Sequence, residues 1–282
     1  MAIVVGSRRT RKLEAALIYL ALAALTAAFL FPLLWVLGLS LKTRAQIFSD
    51  PPLYLWWPTI EHYVDVLSRA DFLKAFLNTL IVSAMAVLLS LGVGVPAAYA
   101  FARFPFRGRS FLFFALLVMR MLPPIAVLVP MYVLFSNFGL ATTRLSVVLA
   151  YTTFSLPLVV WIMRGFFEDL PKELEESAWI DGATRFVAFW RVVLPLARPG
   201  MVAASILCLQ LAWNDFLFAA VLTNNATQTL PVLMAGFSGG DSGVDWGAMT
   251  ASGMLVILPV IIFSFMAQRH LVTGLSSGSV KG

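Results

Sequence analysis

The sequence predicts an all-α integral membrane protein of about six spans, and three observations lead there. Of its 282 residues, 60% are hydrophobic and only 12% carry a charge, whereas soluble domains are near half apolar and a quarter charged. The mean hydropathy is +0.89. That is more apolar surface than a soluble core can enclose, so the surplus must face lipid or other subunits. The apolar residues also gather into long stretches, and a helix of roughly 20 such residues crosses the hydrocarbon core while satisfying its own backbone.

Taken in order, the stretches fall at about 13–41, 72–101, 111–138, 145–167, 199–222 and 247–268. Arg8, Arg9, Arg11 and Lys12 precede the first and imitate the basic start of a signal peptide. The apolar run behind them far exceeds a signal core of about 7–15 residues, so it reads as a retained span behind a tail at 1–12. Prolines punctuate several spans, and the pair Pro123-Pro124 is the strongest candidate for a broken helix. Gly92 and Gly94 in the second span read as a place of close helix packing.

Orientation follows from the basic residues. With the N-terminus inside, 14 of the 20 Lys and Arg lie in inner segments and 5 in outer ones, while Arg120 falls within a span. Both termini are therefore expected in the cytoplasm, with a transmembrane domain over 13–270 and a C-terminal tail at 271–282. The outer segment 42–71, with Trp56, Trp57, Pro58 and Tyr63, reads as interfacial. The outer segment 223–246 is rich in Asn, Thr, Gly and Asp and is expected to be exposed.

Several function classes drop out. The net charge of +6 does not suggest nucleic acid, because the basic residues are spread between apolar runs and not gathered on one polar face. Cys208 is the only cysteine, and His62 and His270 are far apart. Neither a disulfide framework nor a Cys/His metal centre is expected. No G-x-x-x-x-G-K-[ST] phosphate loop is present, so any ATP hydrolysis belongs to another chain. No cluster of catalytic residues marks an enzyme within the spans, and no cofactor is expected on this chain.

The longest inner segment, about 168–198, carries the functional argument. Pro171 stands near a helix start, Lys172 to Ile180 runs without a breaker, and Gly182 fits the left-handed position after a helix end. Glu168, Asp169, Glu173, Glu175 and Glu176 crowd the start, where the helix dipole favours negative charge. Beyond the glycine, Phe186, Phe189, Trp190 and Val193 recur on one face of a second helix, with Pro195 and Pro199 expected to stop it. The segment reads either as an amphipathic loop on the membrane surface or as a knob that docks into a partner. Small Ser177, Ala178 and Ala183 permit close approach, and Glu176 and Asp181 suit basic groups on a partner.

The run Glu176-Ser177-Ala178, then Asp181-Gly182-Ala183, then Phe189 and Leu194-Pro195-Leu196 resembles the EAA motif of ABC importer permeases. Ser177 stands where the family has alanine, one small residue for another. The motif lies between the fourth and fifth spans, as in permeases of the MalG type. Trp213-Asn214-Asp215-Phe216, Leu230-Pro231, Asp245-Trp246-Gly247, Pro259 and the tail from Gly274 to Gly282 also look like that family, so the resemblance covers essentially the whole chain.

The resemblance implies a carbohydrate-uptake subunit with the MalG-type permease fold in a bacterial or archaeal plasma membrane. The implied partners are a second, MalF-like permease as heterodimer, an ABC ATPase dimer that holds ATP and Mg²⁺, and an extracytoplasmic solute-binding protein. It makes Glu176, Ser177, Ala178, Asp181, Gly182 and Ala183 the ATPase-coupling residues. It also extends the tail, with Ser279 and Lys281, toward the ATPase pair.

Charged groups at membrane depth cost about 2.5–3.5 kcal/mol on insertion scales, so they face protein or water. Arg120, Asn214 and Asp215 are accordingly candidates for the translocation path, each with a packing role as its alternative: freed carbonyls beside the prolines for Arg120, helix-to-helix bonds for the other two. An ion-driven secondary transporter would call for several buried carboxylates and repeated halves. Only Asp215 is expected to be buried within a span, and no repeat is evident. An ABC importer for a solute other than sugar is the remaining alternative.

Overall fold

The computed structural model describes residues 8–237 and 244–277, with side chains described over 14–237 and 244–265. Every element among them is helical. In order they are α1 (Arg8–Ser40), α2 (Arg44–Ile47), α3 (Glu61–Ser68), α4 (Ala70–Arg103), α5 (Arg109–Met121), α6 (Pro124–Asn137), α7 (Arg144–Asp169), α8 (Glu173–Ile180), α9 (Arg185–Ala188), a π turn (Phe189–Val193), α10 (Leu194–Leu196), α11 (Arg198–Asn214), α12 (Leu217–Leu222), α13 (Leu230–Gly236) and α14 (Trp246–Ser277). Among the described residues, four helices are long and apolar enough to cross a membrane alone, and up to six spans result if each bent pair counts as one. The chain divides into two compact units, Met1–Ser68 with Phe237–Leu255, and Arg69–Gly236 with Val256–Gly282.

In the first unit, no residue in the most apolar stretch of α1 is buried by the rest of the chain. That stretch leaves its whole circumference to lipid or to another subunit. The segment after it is folded, not merely laid on an interface. Thr43 and Gln46 close a capping box that starts α2. Lys42 Nζ donates to the Leu53 carbonyl at 2.7 Å and lies 4.3 Å over the Trp56 ring. Ser40 Oγ and Tyr63 Oη are 2.7 Å apart, which ties the end of α1 to α3.

The core of the second unit is the pair α4 and α7, with α11 packed against both. Their contact explains one of the two glycines. A Cβ built on Gly94 would lie 2.7 Å from Val159 Cγ1, so only glycine lets α7 come this close. Gly92 has nothing within 4 Å and faces outward, so it takes no part in the packing. Gly94→Leu is expected to lower the melting temperature of the isolated chain through about 1–3 kcal/mol of overpacking. Gly92→Leu should stay within about 0.5 kcal/mol of the parent, and a thermal melt of the two side by side distinguishes them.

Prolines decide where the spans bend. The stretch 111–138 is two helices, α5 and α6, set at 99° with the break at Pro123-Pro124. Leu122, ahead of the pair, is extended at ψ 132°, as the residue before proline must be. The stretch 199–222 also breaks, at Asp215–Phe216, between α11 and α12. Pro195, by contrast, does not stop its helix as the sequence suggests. The chain passes through it by way of the π turn, with the Leu194 N–H bonded to the Phe189 carbonyl, and bends by 71° only at Ala197. A wider turn absorbs a residue that has no N–H to give.

Of the outer segment 223–246, the described residues 223–237 are only partly exposed. Its α13 folds back on α4, with Leu230 buried and its N–H donated to Thr79 Oγ1 at 2.8 Å. Leu230 and Leu233 supply the apolar face that a count of Asn, Thr and Gly hides.

Candidate functional site: the helix–glycine–helix elbow

α8 starts one residue later than a breaker count implies. Lys172 is the residue that flanks it, and the Lys172 carbonyl accepts from the N–H groups of Glu175 (2.9 Å) and Glu176 (3.1 Å). At the other end Gly182 has φ +86°, in the left-handed region. Its N–H bonds to the Trp179 carbonyl at 3.0 Å, and the Ala183 N–H reaches the Ala178 carbonyl at 2.9 Å. This pair of bonds is a Schellman ending, which satisfies carbonyls that would otherwise be orphaned and turns the chain sharply. Thr184 then caps α9 by accepting from the Val187 N–H at 3.3 Å.

The five acids at the elbow's start divide by role. Glu168 and Asp169 belong to the end of α7, where Glu168 pairs with Arg164 at 2.8 Å and Arg109 at 3.4 Å. Glu175 is 4% exposed, and it anchors the elbow. Its Oε1 accepts from Arg103 Nε at 2.6 Å and its Oε2 from Tyr99 Oη at 2.6 Å. The same guanidinium donates through NH2 to the Leu170 carbonyl at 2.8 Å. One arginine at the end of α4 thus holds both the end of α7 and the start of α8. Tyr99 in turn packs against Phe104, Phe167 and Phe189.

The apolar stripe of the second arm also divides. Phe189 and Val193 enter the core, while Phe186 and Trp190 remain exposed with their rings 6.0 Å apart. A π turn advances each residue by a smaller angle than an α turn, so positions spaced for one α face drift onto two edges. On the outside of the elbow, Glu176, Ser177, Asp181 and Gly182 are exposed, with Ala178 and Ala183 half-buried beside them. The Ser177 hydroxyl turns back to the Glu173 carbonyl at 2.8 Å, so the residue presents a small, nearly apolar surface. Ile180, 86% exposed, projects beside it.

Two of the three intramembrane candidates meet in one cavity of about 230 Å³. Arg120 lies in the last turn of α5 just before the double-proline break, and Asp215 stands at the break between α11 and α12; Tyr151, Phe154, Ser155 and Phe218 are among the other residues that line it. Asp215 Oδ1 accepts from the N–H groups of Phe218 (3.1 Å) and Ala219 (3.3 Å), which caps α12. Tyr151 Oη donates to the Asp215 carbonyl at 3.4 Å. Asn214 is not among the lining residues. It is exposed, and its amide donates to the Gln210 carbonyl of its own helix at 2.8 Å. Ser279 and Lys281 lie outside the described residues.

Tyr99, Arg103 and Glu175 escape a reading of the sequence as functional residues. A signal was present: Tyr99 and Arg103 are four apart at the end of a span, hence on one helix face. Their partner lies more than 70 residues further on, and only the fold brings it there.

Residues 90–277 match the model of the family described as binding-protein-dependent transport system inner membrane component. The chain belongs to this family. It is a multi-pass membrane permease of the ABC transporter kind, a transport subunit. It is 36% identical to the trehalose transport system permease protein SugB of Mycobacterium tuberculosis, covering 90% of this chain and 93% of that one. It is 32% identical to the trehalose/maltose transport system permease protein MalG of Thermococcus litoralis, over 90% and 92% of the two chains. Among solved structures, a chain of a bacterial ABC transporter that imports the acidic polysaccharide alginate shares the fold of this permease. That match has a TM-score of 0.80 and 22% identity, and covers 95% of this chain and 99% of the other.

Proposed function

We propose that this permease forms one half of the translocation path of an ATP-driven, binding-protein-dependent importer for a sugar or sugar-like solute. In this reading the elbow is where a separate ATPase drives it. The observation that carries the coupling is the two-sided build of the elbow. Its outer side presents Ile180, Phe186 and Trp190 beside the carboxylates of Glu176 and Asp181. Its inner side is held to α4 by the buried carboxylate of Glu175, whose partner Arg103 also bonds the Leu170 carbonyl at the end of α7. A knob that is apolar and acidic outside and tethered inside suits a groove with basic rims, and it passes on any displacement imposed there. ATP and Mg²⁺ belong to the ATPase pair, a second permease of MalF-like kind completes the path, and a solute-binding protein delivers on the outer face. The trehalose and maltose systems among its relatives support a carbohydrate as solute.

Co-purification in mild detergent, with mass spectrometry of what accompanies the tagged chain, tests this reading. An ATPase and a second, different permease are expected. A chain that purifies alone and moves solute down an ion gradient would refute it.

The cavity between the two helix breaks serves as this half's part of the path. Asp215→Ala removes the cap of α12, at about 1 kcal/mol, whereas Asp215→Asn keeps a competent cap and removes only the charge. Uptake is expected to fall in both variants, with the melting temperature lowered only in the alanine form. Uptake that tracks stability alone would instead assign Asp215 to packing.

A further inference from the structure

Each end of the α4–α7 pair carries a buried polar clamp, and each clamp fixes a loop. At one end Arg103 holds Glu175 of the elbow and the Leu170 carbonyl. At the other, Asn78 is fully buried and uses its whole amide. Its Oδ1 accepts from Arg144 Nε at 2.7 Å, and its Nδ2 donates to the carbonyls of Ala226 (3.2 Å) and Gln228 (2.9 Å). The neighbouring Thr79 accepts the Leu230 N–H, so segment 226–230 is stapled to α4 at three points. From Asn78 to Arg103 the helix rises about 37 Å, which places the two clamps on opposite faces of a bilayer whose core is about 30 Å thick.

Between the clamps the two helices cannot slide. Val159 sits against the bare backbone of Gly94, and Pro96 and Pro157, one in each helix, flank that contact. A relative shift would drive the Val159 side chain into α4 or open a void, and packed interiors respond to such demands by moving together. The clamps resist separation for a second reason, because the buried Asn78 amide and the buried Arg103 guanidinium find no water to replace a lost partner, whereas Arg144 itself is exposed.

We propose that α4 and α7 act as one rigid strut that carries displacement of the elbow to segment 224–230 on the opposite face, with Asn78 and Arg144 as positioning residues for that segment. The inference rests on the reading of the elbow as the ATPase-driven element.

The test uses the importer with its co-purifying subunits in lipid nanodiscs, and deuterium uptake with and without ATP plus orthovanadate. Peptides covering 170–190 and 223–236 report the two ends. In the parent, nucleotide is expected to change exchange at both ends by about threefold or more. In Arg144→Gln, 170–190 keeps its response while 223–236 loses it; Arg144→Lys, which retains a donor for Asn78, restores it. In Glu175→Gln, and to a lesser degree in Tyr99→Phe, ATP is still hydrolysed but 223–236 no longer responds. A parent in which only 170–190 responds, or a Glu175→Gln importer in which 223–236 responds fully, overturns the strut and leaves the importer reading intact. A preparation without an ATPase, with neither peptide sensitive to nucleotide, overturns both.

Discussion

Gly182→Val is expected to leave the chain inserted and assembled, to leave ATP hydrolysis running, and to lower solute transport by about tenfold or more. The reason is local. Gly182 adopts φ +86°, and its Schellman bonds join α8 to α9 through that conformation. A β-branched residue held there costs on the order of 1–3 kcal/mol, so the turn reopens or α8 swings away from its Glu175 tether. Nothing lies within 4 Å of a Cβ at this position. Within this chain, the strain therefore lies in backbone conformation and not in a clash with the body of the protein. Gly182→Ala should give a weaker form of the same defect. The measurement is the ratio of solute moved to ATP hydrolysed in proteoliposomes, and an unchanged ratio in the valine variant removes the elbow from the coupling route.

Glu175→Ala is expected to have the larger effect on stability. The carboxylate and its arginine are both nearly dry, with side chains 5% and 7% exposed. Removing one member strands the other without water, which costs about 3–5 kcal/mol when a buried pair is broken. Arg103 would also lose its orientation toward the Leu170 carbonyl, so the end of α7 and the start of α8 would loosen together. A lower melting temperature and weaker retention of the ATPase on purification should follow. The double variant Arg103→Met with Glu175→Leu leaves no stranded charge. It should recover most of the melting temperature but not the transport, because an apolar contact does not fix the angle of the elbow as two directed hydrogen bonds do. If Glu175→Ala and the double variant both melt like the parent, the pair contributes little, and the anchoring falls to the aromatic packing around Tyr99.

Much of the molecule was legible in its residues. Membrane residence, the helical class and the break at Pro123-Pro124 follow from apolar length and from proline's missing N–H, which act locally and hold wherever the chain is placed. Gly182 was legible for the same reason, since a helix end that needs a left-handed residue selects glycine from sequence-near forces alone. The family motif added the outer residues of the elbow, which match a pattern of fixed spacing.

The tertiary structure decided what depends on distant partners or on the exact phase of a turn. Glu175 looked like one of five interchangeable acids until α4 brought Tyr99 and Arg103 against it from more than 70 residues away. Phe186 and Trp190 shared a predicted face with Phe189 and Val193 until the π turn rotated them apart. Gly92 and Gly94 looked alike in the sequence, and only the approach of Val159 distinguishes them. Arg120 and Asp215 were separate candidates until two helix breaks placed them around one cavity. The sequence by itself determined which segments are helices, the break at Pro123-Pro124, and that the helices lie in a membrane, because hydrophobic length, proline and glycine act over a few residues. The passage through Pro195 and the break at Asp215–Phe216 it did not determine. Which side chains meet was settled only by the packing of α4, α7 and α11, because burial and hydrogen-bond partnership are properties of the neighbours a fold supplies.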